Sequence, residues 1–92
     1  MHAVVVKVSV QDDGEAGLKY LRENIVTGVS QAPGFVAGYW VRLEGGDEGN
    51  SVIVFESEDA ARAAAERVRE GVESNPSVTV KDVSVGEVVA NA

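Results

Sequence analysis

The spacing of hydrophobic residues in this chain switches repeatedly between the two-residue period of a strand and the 3.6-residue period of a helix. That alternation constrains the fold more than any other feature. Residues 2–10 are rich in valine and end at the turn cluster Gln11-Asp12-Asp13-Gly14, so they read as a strand. From about Glu15 to Gln31 the period lengthens. Leu18, Leu21, Ile25 and Val29 fall on one helical stripe, with Lys19, Arg22 and Glu23 elsewhere. Asp12 or Asp13 caps this helix, and Ala32-Pro33-Gly34 stops it. Phe35 to Glu44 reads as a second strand, Gly45 to Asn50 as a polar hairpin loop, and Ser51 to Glu56 as a third strand. Ser57 then stands at an N-cap position, with Glu58 and Asp59 in the first turn, where the helix dipole favours negative charge. The second helix is expected to run to about Glu73, with Ala61, Ala64, Ala65, Val68 and Val72 facing inward. Asn75-Pro76 ends it, and Val78 to Val89 forms a last strand bent near Gly86. The order is βαββαβ: an α+β, ferredoxin-like arrangement with a four-stranded antiparallel sheet, in one domain spanning residues 1–92.

A chain of this length buries only roughly 60–65% of its unfolded surface, so small domains often need disulfides, a metal or association. With no cysteine and a single histidine, His2 at the start of the first strand, disulfides, thiolate chemistry and a His-rich metal centre are excluded. The net charge of −7 argues against a nucleic-acid partner, which requires clustered Lys and Arg. An RNA-recognition module shares this element order, but the third strand lacks the basic start such modules use. No apolar run approaches the ~20 residues of a membrane span. Met1-His2-Ala3-Val4 lacks a basic leader and already reads as a strand, so the expected location is cytoplasmic.

The strands are apolar on both sides. In the first, Val4, Val6, Val8 and Val10 make one face, yet Ala3 and Val5 lie on the other. Simple alternation in the second sends Phe35, Ala37, Tyr39, Val41 and Leu43 one way and Val36, Gly38 and Trp40 the other. In the third it separates Val52 and Val54 from Ile53 and Phe55. Two right-handed crossovers place both helices on one face of the sheet. The remaining apolar face then exceeds what monomers usually expose. Covering even ~500 Å² per subunit contributes about 12 kcal/mol before association costs. The expected partner is a second copy, a homodimer, with the valines Val83, Val85, Val88 and Val89 available to wrap or pair across the interface.

Ala32-Pro33-Gly34-Phe35 leading into a strand, and Phe55-Glu56-Ser57-Glu58-Asp59-Ala60 joining a strand to a helix, resemble the dimeric α+β barrel superfamily. The nearest resemblance is to its antibiotic-biosynthesis-monooxygenase-type domains. It spans nearly the whole chain, on motifs that report fold more than activity. It implies a homodimer whose sheets close a barrel, with a pocket in each subunit between sheet and helices. Activities among such domains include cofactor-free oxidation of polycyclic phenols or quinols, haem degradation and lactone isomerisation; no cofactor is expected here. Haem-degrading members use an Asn on the first strand, a Trp at the end of the third and a His on the second helix. This chain has Lys7, Phe55 and no histidine there. Quinol-oxidising members place an Asn four residues before that Trp, with Tyr and Arg nearby. Here the positions hold Ser51 and Phe55, and the second helix has no Tyr.

The candidate ligand-binding residues are Lys7, Trp40, Arg42, Ser51, Ile53 and Phe55; no residue is assigned a catalytic role. Trp40 and Arg42 share a strand face and offer a flat aromatic wall and a fixed cation for a carboxylate or phenolate. Against this stands an interface Trp with Arg42 paired to an acid such as Glu44. Lys7, placed by alternation on the same side, is a cation inside an apolar run, and a snorkelling or carboxylate-paired lysine is the plainer alternative. Ser51 can hydrogen-bond a ligand but has no His to activate it. Ile53 and Phe55 supply a wall. Tyr39 is expected on the helix side, in the core, and Tyr20 at the surface. Asp12, Asp13, Glu15, Asp47 and Glu48 serve capping and solubility, and neither glycine cluster matches a phosphate-binding fingerprint. Two functions follow. One is a monooxygenase-type domain that binds or oxidises a small aromatic or anionic ligand. The other is a non-catalytic dimerisation module with a filled core. An amino-acid-sensing regulatory domain of the same topology is a further alternative.

Overall fold

The computed structural model describes residues 1–10, 19, 21–71 and 78–92. Its elements are β1 (His2–Val10), a π-helical turn (Leu21–Ile25) running into α1 (Val26–Ser30), β2 (Phe35–Arg42), β3 (Glu48–Phe55), α2 (Glu58–Gly71) and β4 (Val78–Glu87). The strands form one antiparallel sheet in the order β2-β3-β1-β4, the ferredoxin-like topology the period changes predict. β1 and β3 are therefore central, while β2 and β4 are edges.

Both helices lie on one face. α2 packs across β1 and β4 and reaches β3, while α1 lies on β2. The core forms between α2 and the sheet, from Val4 and Val6 of β1, Ile53 and Phe55 of β3, and Ala61, Ala64 and Ala65 of α2. Alanines bring the α2 axis close enough for valines to fill the layer, and Val68 extends the same stripe. The Ser57 Oγ accepts the backbone N–H of Ala60 at 3.1 Å, so this helix begins at the expected cap. On its outer side, Glu58–Arg62 and Glu66–Arg69 form ion pairs. The Arg62 hydrogen bond, helped by its charge, holds the Glu58 carboxyl below the ordinary glutamate range.

Three expectations about the elements change. The expected first-helix stripe includes Leu21, Ile25 and Val29, but Ile25 is exposed while Leu21, Val26 and Val29 are half-buried. The wide π turn explains this, because it brings residues five apart, Leu21 and Val26, onto one side. The hairpin loop is shorter than Gly45–Asn50 and sits earlier. β2 ends at Arg42 rather than Glu44, and β3 already begins at Glu48. Leu43 N–H donates to Glu48 O at 2.9 Å and Gly46 N–H to Leu43 O at 3.0 Å. Gly45 and Gly46 take the positive φ values of 100° and 83° that this tight reversal needs. The irregularity of β4 falls at Lys81, where the register with β1 shifts between Lys7 and Val8; the strand continues through Gly86. Leu18, Val72, the caps Asp12 and Asp13, Glu15, Tyr20 and Asn75-Pro76 lie outside the described residues.

Candidate functional site

The second strand decides which side chains meet. Phe35 pairs with Phe55 but Ala37 pairs with Val54, so Val36 is an extra residue, a β-bulge. A bulge resets alternation. Phe35, Gly38, Trp40 and Arg42 consequently share the helix-facing side, where Phe35 and Trp40 pack against the core. Ala37, Tyr39 and Val41 share the open side. Tyr39 is therefore no core residue; it is 67% exposed on the face without helices. Counting every second residue from Phe35 put it on the wrong side because the count ran through the bulge.

Lys7 also departs from its expected place. Its cross-strand partners are Asn50 and Asp82, and it projects from the open face, whereas Trp40 and Arg42 belong to the helix-facing one. The sheet itself separates Lys7 from the other candidates. Trp40, Arg42, Ser51, Ile53 and Phe55 do share one side. Trp40 stands directly opposite Ser51, Gly38 opposite Ile53, and Arg42 opposite Gly49. Gly49 leaves the guanidinium without a bulky cross-strand neighbour. Ser51, 8% exposed, is the one buried polar side chain among the described residues.

Trp40 owes its position to a missing side chain. A Cβ on Gly38 would lie 2.8 Å from Trp40 Cη2 and 2.9 Å from Cζ3, so the indole folds back along its own strand into the space the glycine leaves. The same Cβ would be 3.5 Å from Phe35 Cε1. Phe35 in turn meets Phe55 edge to face, with ring centroids 6.2 Å apart at 82°. A strip of aromatic surface therefore runs from Phe55 through Phe35 to Trp40. Its two ends differ. Phe55 is 0% and Ile53 3% exposed, so both are filled core, while Trp40 is half-buried and Arg42 is exposed.

Chemically, this end of the strip offers a flat indole, a hydroxyl across from it and a guanidinium two residues further, about 7 Å along the strand. These groups suit a planar ring bearing an anionic oxygen. The ion pairs among the described residues are Glu58–Arg62, Glu66–Arg69 and Glu48–Lys81, and none of them engages Arg42. No group of three or more His, Asp or Glu among the described residues is placed to hold a metal ion. No helix among them is long and apolar enough to cross a membrane. Gly38 and Phe35 were not singled out from the sequence. The signal was a glycine two residues before a strand tryptophan, on the same side of the sheet.

Topology and site together define a ferredoxin-like α+β domain whose helix-covered face ends in an aromatic and cationic corner. The family model described as antibiotic biosynthesis monooxygenase matches residues 1–73, and the chain belongs to that family. Among solved structures, it is similar to SnoaB, a cofactor-independent oxygenase from Streptomyces nogalater (15% identity, 98% of this chain and 94% of that one, TM-score 0.74). It is also similar to an MhuD variant with two manganese protoporphyrin IX molecules bound per active site (20% identity, 100% and 98%, TM-score 0.71). A third similar structure is a dimeric ferredoxin-like protein from an uncultured marine organism (15% identity, 100% and 98%, TM-score 0.67). At these identities the likeness establishes the fold alone. No curated protein matches the chain.

Proposed function

We propose that this protein binds a small planar aromatic anion against Trp40, on the helix-facing side of its sheet, and oxidises it with O₂ without a cofactor. The observation that carries the reading is the seating of the Trp40 ring on Gly38, beside Ser51 and with Arg42 on the same face. Stacking orients the ligand, the guanidinium holds its ionised oxygen, and the Ser51 hydroxyl supplies a hydrogen bond. Ile53 and Phe55 act as the packed floor that keeps the indole in place. An anthrone-type substrate, ionised to its enolate, would give electrons to O₂. The ring CH₂ then becomes a carbonyl and the second oxygen atom leaves as water. A fixed cation beside the developing oxyanion is the kind of stabilisation whose removal costs about 10²–10³ in rate.

The active unit in this reading is a homodimer. The open face carries Val5, Ala37, Tyr39, Val41, Val52 and Val54, and a second sheet is the simplest cover for it. The alternative, a non-catalytic dimerisation module, draws on the absence of any exposed surface at Phe55 and very little at Ile53. Oxygen uptake with anthrones and quinols separates the two. Turnover that falls about 100-fold in Arg42→Ala, with binding lost in Trp40→Ala, supports the oxidase. No uptake by the wild type removes the enzymatic reading, and aromatic anions that do not raise Tm remove the binding site as well.

A further inference from the structure

The open face carries a polar row as well as apolar ones, and its charges are unusual for this molecule. Lys7 of β1 faces Asp82 of β4 and Asn50 of β3. One step along, Glu48 of β3 reaches Lys81 of β4 at 3.9 Å across the intervening Ser9. Two cations and two carboxylates sum to zero on this face, in a chain whose net charge is −7. The acidic excess therefore lies elsewhere, and two such faces can meet without the repulsion the whole chain would predict. Across β2, β3 and β1 the remaining rows, Ala37-Val54-Ala3 and Tyr39-Val52-Val5, are apolar, and on β4 they end at Gly86 and Ser84. Charge balance and apolar area together point to a second copy of this chain as the occupant.

We infer that Lys7 and Asp82 form the polar lock that fixes how the two sheets align in the homodimer, an inference that rests on the homodimer proposed above. As direct cross-strand neighbours on one side of the sheet, their Cβ atoms are about 5 Å apart. Ser84 Oγ donates to Asp82 Oδ2 at 3.0 Å and orients the carboxylate. In a single chain both groups face water, where such a pair contributes little. A second sheet removes the water, and either charge without the other then becomes costly to cover. Sliding one sheet by two residues along its strands would lay the Lys7–Asp82 row of one copy over the apolar Val5–Val52 row of the other, whereas row-on-row alignment keeps both charges beside polar groups.

Sedimentation equilibrium on charge-reversed variants tests this, with far-UV circular dichroism reporting the fold. Lys7→Glu and Asp82→Lys are each expected to raise the dimer dissociation constant at least 100-fold, and the exchange of both to return it to within tenfold of wild type. Lys7→Gln, Asp82→Asn and their combination give the same pattern at about tenfold, should a reversal unfold the chain. A wild type that is monomeric at micromolar concentration removes the homodimer itself. A dimeric wild type unmoved by the single changes, or not restored by the double one, leaves the homodimer standing and overturns the lock.

Discussion

Replacing Gly38 with alanine isolates the contact on which the candidate site depends. The new methyl would sit 2.8 and 2.9 Å from two ring carbons of Trp40, where ordinary contact begins at 3.4 Å, so the ring must retreat by at least about 0.5 Å. The clashing atoms are the far edge of the indole, which can swing outward, so the overpacking cost belongs at the low end of its usual ~1–3 kcal/mol range. Loss of glycine's backbone freedom returns roughly 0.5–1 kcal/mol. The net destabilisation is about 0–0.5 kcal/mol, or a Tm lower by at most roughly 4 °C. The functional effect is larger, because the aromatic wall itself has moved. Trp40 is the only tryptophan, so its emission reports this directly. The Gly38→Ala variant is expected to emit further to the red, to be quenched more readily by acrylamide, and to lose affinity for an aromatic anion. An unchanged emission maximum and unchanged quenching, in a variant as stable as wild type, would refute the placement of the ring over Gly38.

Phe55→Ala removes a side chain with no exposed surface from the centre of the core, at a cost of about 3–5 kcal/mol, and urea denaturation should show most of the stability gone. Gly34→Ala forces alanine to φ 79° and brings its Cβ to 3.0 Å from Ala60 Cβ; a loss of about 2 kcal/mol is expected in the same assay. Glu58 titrates below the ordinary glutamate range because Arg62 favours the ionised form. Its contribution is thus complete above a pH of about 4.3 and fades as pH falls through the lowered value. Carboxyl NMR should show the Glu58 midpoint returning to the ordinary range in Arg62→Gln; the exposed pair adds little stability either way.

The parts of the architecture legible in the sequence were those set by local period and punctuation. Ala61, Ala64 and Ala65 could only be one face of a helix, and Ser57 before two acids could only begin it. Trp40 and Arg42, two apart on a strand, share a side wherever that strand is placed. The side itself was not legible. Both faces of the sheet are apolar, so hydrophobicity could not say which one takes the helices, and parity counted from Phe35 fails at Val36. Nothing in Phe-Val-Ala-Gly announces a bulge, because the extra residue is defined by its partner strand. Lys7 was misplaced for the same reason: relating β1 to β2 requires the register through β3, which is set by the short turn at Leu43–Asp47. Ser51 opposite Trp40 is a consequence of that register.

The two interruptions at Val36 and Lys81 fall on β2 and β4, the two outermost strands. An outermost strand with an unbroken ladder of free amides and carbonyls invites another strand to continue it, copy after copy. An extra residue there spoils the template, and at β4 it carries a positive charge as well. Growth along the rim is thereby discouraged on both flanks. In the proposed homodimer, association through the open face would stop at two molecules, so concentrated solutions should hold particles of fixed size instead of filaments.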